Sequence, residues 1–152
     1  MATVFWDCHG IVLIDYLPKG ATVSGAYYSN LLDRVSTRLR AFRPGLSRKK
    51  LLLLHDNASP HTCDFTATTL AELGIDVLPH PAYSPDLAPS DFFLFTGLKK
   101  HLAGTRFASD EEVIQAVNAY FDTKTPEFFY TGLHALEHRY ERCIALRGEY
   151  TE

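Results

Sequence analysis

Apolar and polar positions along the chain fall into runs whose periods indicate the elements. Thr3 to Trp6 and Ile11 to Leu17 are rich in β-branched and aromatic residues, with Asp7-Cys8-His9-Gly10 between them. Gly10 can supply a positive φ, so these runs predict a hairpin over residues 3–17. From Thr22 to Arg43 the apolar residues Val23, Tyr27, Tyr28, Leu31, Leu32, Val35, Leu39 and Phe42 recur every three or four positions. That is the period of an amphipathic helix, and Pro44-Gly45 stops it. Leu51-Leu52-Leu53-Leu54, the most apolar run in the chain, predicts a short buried strand over 50–55. A helix over 62–73 follows, with Leu70 and Leu73 on one side and Gly74 as its stop. Ile75 to Leu78 is a further short strand, over 75–78. Helices then occupy 91–146. The first, Asp91 to Leu102, is rich in phenylalanine. The second opens on the capping box Ser109-Asp110-Glu111-Glu112 and buries Val113, Ile114, Val117, Tyr120 and Phe121. The last is marked by Leu133, Leu136, Tyr140, Cys143 and Ile144. The order β-β-α-β-α-β-loop-α-α-α is that of an α/β protein.

Composition narrows the class. The chain has 152 residues, 46% of them hydrophobic and 22% charged, which suits one domain with a real core. No repeat, low-complexity tract or linker interrupts it. The longest apolar run is far short of the ~20 residues of a membrane span, and no signal pattern opens the sequence. Cys8, Cys63 and Cys143 are odd in number and scattered, which points to a reducing compartment. Charge is uneven. Residues 1–106 carry eleven Lys or Arg against nine Asp or Glu, and residues 107–152 carry four against nine. Arg34, Arg38, Arg40, Arg43, Arg48, Lys49 and Lys50 lie in one segment without an acid among them. Such a segment can neutralise phosphates and is a candidate DNA-binding surface, or else a solvated helix face.

The candidate chemistry lies in two stretches. His55-Asp56-Asn57-Ala58-Ser59-Pro60-His61 follows the leucine strand, and ligands of open α/β sheets bind outside the carboxyl ends of strands. Tyr83-Ser84-Pro85-Asp86-Leu87-Ala88-Pro89-Ser90-Asp91 ends a loop stiffened by Pro79, Pro81, Pro85 and Pro89. Asp56 and Asp91, with thirty-four residues between them, are candidate ligands of a hard divalent cation. Asp91 taken alone reads equally as a helix N-cap. His55, His61, Cys63 and His80 match no zinc spacing, and His55 and His61 are read as loop-stiffening or phosphate-contacting groups. His134 and His138 lie one helical turn apart with no third ligand and are read as a polar face.

These motifs resemble the catalytic domain of mariner-type transposases. The resemblance rests on Phe5-Trp6-Asp7 with Gly10, Leu54-His55-Asp56-Asn57-Ala58, Leu78-Pro79-His80, the block Tyr83 to Asp91, Arg106-Phe107 and Arg142-Cys143. It implies a ribonuclease-H-like mixed sheet flanked by helices, DNA as partner and a nuclear location. It also implies pairing of two copies in intact members of the family. The implied activity is metal-dependent DNA cleavage and strand transfer, in which three carboxylates hold two Mg²⁺ or Mn²⁺ ions. Asp56 matches the second acid and Asp91 the third.

The first acid of the family lies on a first, central strand ahead of the hairpin, and these residues contain no match to that stretch. Asp7 matches a turn aspartate instead. The expectation is therefore a partial catalytic domain lacking the central strand, with two of three acids and little activity of its own. The hairpin should either close against the leucine strand or leave a gap beside it. A non-catalytic, non-specific DNA-binding module and an unselected transposon remnant are the alternatives.

Overall fold

The alternating residues at the start of the chain form strands β1 (Ala2–Asp7) and β2 (Gly10–Tyr16), paired as a two-stranded sheet. In this computed structural model, residues 1–43, 45 and 50–148 are described. The turn is closed by Asp7, as expected. Its Oδ1 accepts the backbone N–H groups of His9 at 2.9 Å and Gly10 at 3.1 Å. Gly10 has φ +139°, which any side chain would strain. At the open end Leu17 N–H donates to the Met1 carbonyl at 2.9 Å.

Helix α1 (Gly25–Phe42) begins where the Ser24 hydroxyl accepts the Tyr27 N–H at 3.1 Å, a side-chain cap worth about 1 kcal/mol. Its apolar stripe buries Tyr28, Leu31, Leu32 and Val35. These pack with Phe5, Leu13, Leu70 and Ile75 into one core. Each fully buried leucine contributes roughly 1.5–3 kcal/mol relative to exposure. Phe42 does not join the stripe and is 72% exposed. It is the helix's final residue, and the backbone leaves helical geometry at Arg43. Pro44 lies outside the described residues.

Strand β3 (Leu51–Leu53) runs parallel to β4 (Ile75–Val77), with Leu51 opposite Ile75 and Leu53 opposite Val77. The expected burial of this strand is only half right. Leu51 and Leu53 pack against the core, whereas Leu52 is 64% exposed. Side chains alternate across a strand, and only one face of this pair meets the core. No ladder joins the two sheets among the described residues.

The helix expected over 62–73 is divided. A short turn of helix, α2 (Ser59–Thr62), precedes α3 (Asp64–Leu73). Cys63 between them is extended, with ψ 159°. The Thr66 hydroxyl holds this break by donating to the Pro60 carbonyl at 2.5 Å. Gly74 ends α3 in the left-handed conformation, φ 68°, as the sequence suggests.

The chain divides into two compact units, Met1–Phe5 with Val12–Ala82, and Trp6–Ile11 with Tyr83–Glu152. The second contains a 3₁₀ turn (Pro85–Leu87), a π-helical turn (Ser90–Phe95) and the helices α4 (Thr96–Leu102), α5 (Asp110–Asp122) and α6 (Pro126–Ala145). Its buried side chains include Leu94, Leu98, Val117, Tyr120, Phe121 and Phe129. The cap of α5 departs from the reciprocal box. Ser109 accepts the Glu112 N–H, but Glu112 Oε2 reaches back to Ala108 N–H at 2.8 Å. Ile144, read as part of the last buried face, is 77% exposed, because the burial of α6 lies towards its start, at Phe129 and Gly132. No helix among the described residues is long and apolar enough to cross a membrane.

Candidate active site

Asp56 lies just beyond β3, in the first unit. Its Oδ1 accepts the Ala58 N–H at 3.1 Å and lies 2.7 Å from His61 Nδ1. His61 Nδ1 is also 3.2 Å from the Asp56 carbonyl. Both groups facing that nitrogen are acceptors, so Nδ1 carries the proton. Asn57 secures the other side of the loop, donating from Nδ2 to the His80 carbonyl at 3.0 Å.

The His61 ring is held on two sides. Its centroid is 4.3 Å from that of Tyr28 and 4.8 Å from that of His55, the two imidazoles lying within 6° of parallel. The Tyr28 hydroxyl lies 2.8 Å from His55 Nδ1. Burial foremost, then the neighbouring His61 and also His80, pull His55 down to about 4, against the opposing effect of Asp56. His55 is therefore neutral near pH 7. Burial, with Asp56 adding to it, pushes the Tyr28 phenol well above its ordinary value. Sequence reasoning gave these histidines a stiffening role but missed the stack, because Tyr28 lies twenty-seven positions before His55.

Asp91 lies in the second unit. It is exposed and occupies the second position of the π-helical turn, not the start of a regular helix. Its N–H donates to the Ala88 carbonyl at 2.8 Å, and its own carbonyl accepts the Thr96 hydroxyl at 2.7 Å. Such π segments often occur at functional sites. Its neighbours are fixed individually. Trp6 Nε1 donates to Ser90 Oγ at 3.0 Å. The Trp6 ring stacks 6.3 Å from Phe93 and lies 6.0 Å from Phe129. The Arg139 guanidinium lies 4.0 Å over the Phe92 ring and donates to the Asp86 carbonyl at 3.2 Å.

Among the described residues Asp56 Oδ2 has no hydrogen bond or ion pair, and the side chain is 58% exposed. An open carboxylate oxygen suits a hard cation such as Mg²⁺ or Mn²⁺. No group of three or more His, Cys, Asp or Glu that could hold a metal occurs among the described residues. His134 lies 3.7 Å from Glu137 and stacks on Tyr130.

The basic segment is not one free surface. Arg34 pairs with Asp15 at 2.8 Å, and Tyr27 donates its hydroxyl to the other Asp15 oxygen. Arg38 donates to the Val12 carbonyl at 3.1 Å. Lys50 lies 3.2 Å from Asp76. Arg40 is exposed and Arg43 half-buried. Arg48 and Lys49 lie outside the described residues.

Comparison with known proteins gives a consistent picture. A family model described as Transposase (partial DDE domain) matches residues 1–49. The mariner Mos1 transposase of Drosophila mauritiana is 40% identical over 154 residues, covering 100% of this chain and 45% of that protein. Histone-lysine N-methyltransferase SETMAR of Homo sapiens is 34% identical over 151 residues, covering 99% of this chain and 22% of that protein. The chain thus spans less than half the length of these curated relatives. The solved Mos1 catalytic domain with raltegravir and Mg superposes with TM-score 0.94 at 40% identity, over 98% of this chain and 75% of that one. A pre-cleavage Mos1 transpososome gives TM-score 0.94 at 40% identity, over 98% and 44%.

Proposed function

The chain belongs to the mariner-type transposases as part of their ribonuclease-H-like catalytic domain, and from that premise we propose that Asp56 and Asp91 are two of its three metal-holding carboxylates. Its substrate is DNA and its place of action the nucleus. The observation that carries the reading is the setting of Asp56. At a strand exit its carboxylate is anchored through Oδ1 and open through Oδ2. Mos1 has been solved with Mg, with Mn and with a transposon end, which supports the same ion class and partner here.

A bound Mg²⁺ or Mn²⁺ supplies charge stabilisation and activation of the attacking oxygen in displacement at phosphorus. The protein's own part is positional. Asp56 offers Oδ2 while His61 and the Ala58 N–H hold Oδ1. Asp91 is presented from a π turn whose flanks are fixed by Trp6 and Arg139. These residues contain no match to the family's first acid, so the chain by itself transfers phosphoryl groups poorly. Arg40 within α1 and Lys50 just ahead of β3, both exposed, contact the DNA backbone. Arg34 and Arg38 hold contacts within the fold as well.

Incubation of the purified 152-residue chain with supercoiled plasmid and Mn²⁺ tests this. The expected result is salt-sensitive DNA binding without nicking above background, the binding surviving Asp56→Ala and falling in Arg40→Ala/Lys50→Ala. Metal-dependent nicking that disappears in Asp56→Ala would refute the two-acid limit.

A further inference from the structure

We propose that His61 is the positioning residue of Asp56, setting which of its two carboxylate oxygens is presented to a divalent cation. The inference deepens the reading of Asp56 as a metal ligand and rests on it. The final torsion of an aspartate is broad, and at 58% exposure little packing restrains it. The Ala58 N–H donates to one oxygen, Oδ1, and His61 Nδ1 approaches that same oxygen closely, and together they restrain it instead. The Ala58 N–H lies 3.1 Å and His61 Nδ1 2.7 Å from Oδ1. With Oδ1 held, Oδ2 is the oxygen left to a cation.

His61 is itself fixed better than a surface histidine. Its side chain is only 21% exposed. Tyr28 lies against the ring at 4.3 Å and His55 at 4.8 Å. Nδ1 also faces the Asp56 carbonyl at 3.2 Å, so a ring flip would remove both contacts. The Tyr28 hydroxyl at His55 Nδ1 fixes the orientation of the second ring. The strand-exit acid is thus oriented by a histidine five positions on, through one turn of helix, with a core tyrosine from α1 bracing that histidine. Partners of this kind that orient a ligand typically change metal affinity by about 10–100-fold when removed.

The test is Mn²⁺ titration of the full chain, read by the electron paramagnetic resonance of free Mn²⁺. Four proteins are compared: wild type, Asp56→Ala, His61→Phe and His61→Asn. Phenylalanine keeps the stacking and removes the donor. Asparagine removes the ring and returns an N–H donor near the place of Nδ1. Asp56→Ala is expected to abolish binding. His61→Phe is expected to weaken it by about 10-fold or more, and His61→Asn to stay near wild type. If His61→Phe gives no cooperative thermal transition, His61→Leu carries the same comparison. Wild-type affinity in His61→Phe, with binding lost in Asp56→Ala, would overturn the positioning role and leave the ligand reading intact. Equal weakening in His61→Phe and His61→Asn would also overturn it, since a packing role alone predicts that. No Mn²⁺ binding by the wild type, or unchanged binding in Asp56→Ala, would remove the ligand reading and the proposal with it.

Discussion

The indole of Trp6 donates to the Ser90 hydroxyl across 3.0 Å, a bond between residues 84 positions apart. Its consequence is local to Asp91. The tip of the hairpin and the turn carrying the acid belong to one unit, and Trp6 also stacks on Phe93, two residues beyond Asp91.

Trp6→Phe removes the donor and keeps most of the ring. The expected loss is about 1 kcal/mol, the net worth of one such bond, measured by urea unfolding. Ser90→Ala is expected to cost a similar amount. The double variant should lose no more than either single, because both remove the same bond. Trp6→Ala, which also empties the space between Phe93 and Phe129, is expected to cost roughly 3 kcal/mol. Additive losses in the double variant would show that the bond contributes nothing.

Gly132 in α6 is buried because the Phe93 ring occupies the place of its missing side chain. Helix propensity alone would make alanine better by about 1 kcal/mol. The expected outcome has the opposite sign: Gly132→Ala destabilises by about 1–3 kcal/mol through overpacking. Adding Phe93→Leu should recover part of that loss. Stabilisation by Gly132→Ala, read from the thermal midpoint, would show the contact to be loose.

The low pKa of His55 fixes the sign of a pH effect. Its folded value is about 4 against an ordinary 6.5, with burial the main cause. Between those values the unfolded chain binds a proton that the folded chain does not. Stability is therefore fully present above 6.5, declines as pH falls towards 4, and loses nothing more from this group below that. In His55→Gln the drop in urea midpoint between about pH 7 and about pH 5 is expected to be smaller than in wild type. An equal drop would mean that His55 titrates normally.

The parts legible in the sequence are those set by local rules. The three-to-four spacing from Val23 to Leu39 gave α1, and Gly74 gave the end of α3. Asp7 was correctly read as a turn residue, since two backbone N–H groups lie within reach of its carboxylate. What stayed illegible depends on contacts distant in the chain. Leu52 is as apolar as its neighbours, and only the one-sided core decides that it faces out. The extended Cys63 follows from a Thr66 hydroxyl that prefers the Pro60 carbonyl. The π turn at Ser90–Phe95 leaves no period of its own in so short a segment. The partners of Arg34 and Arg38 within the fold, Asp15 and the Val12 carbonyl, likewise lie far off in the chain. The acids themselves were recognisable because a motif, not a fold, marks them.

The reading proposed for this chain stands on Asp56 and Asp91 both being metal ligands. Mn²⁺ affinity of wild type, Asp56→Ala and Asp91→Ala measures that without any other assumption. Each variant is expected to bind Mn²⁺ at least about 10-fold more weakly than wild type, on the order of what loss of a ligand or its orienting partner costs. Wild-type affinity in either variant would contradict the reading.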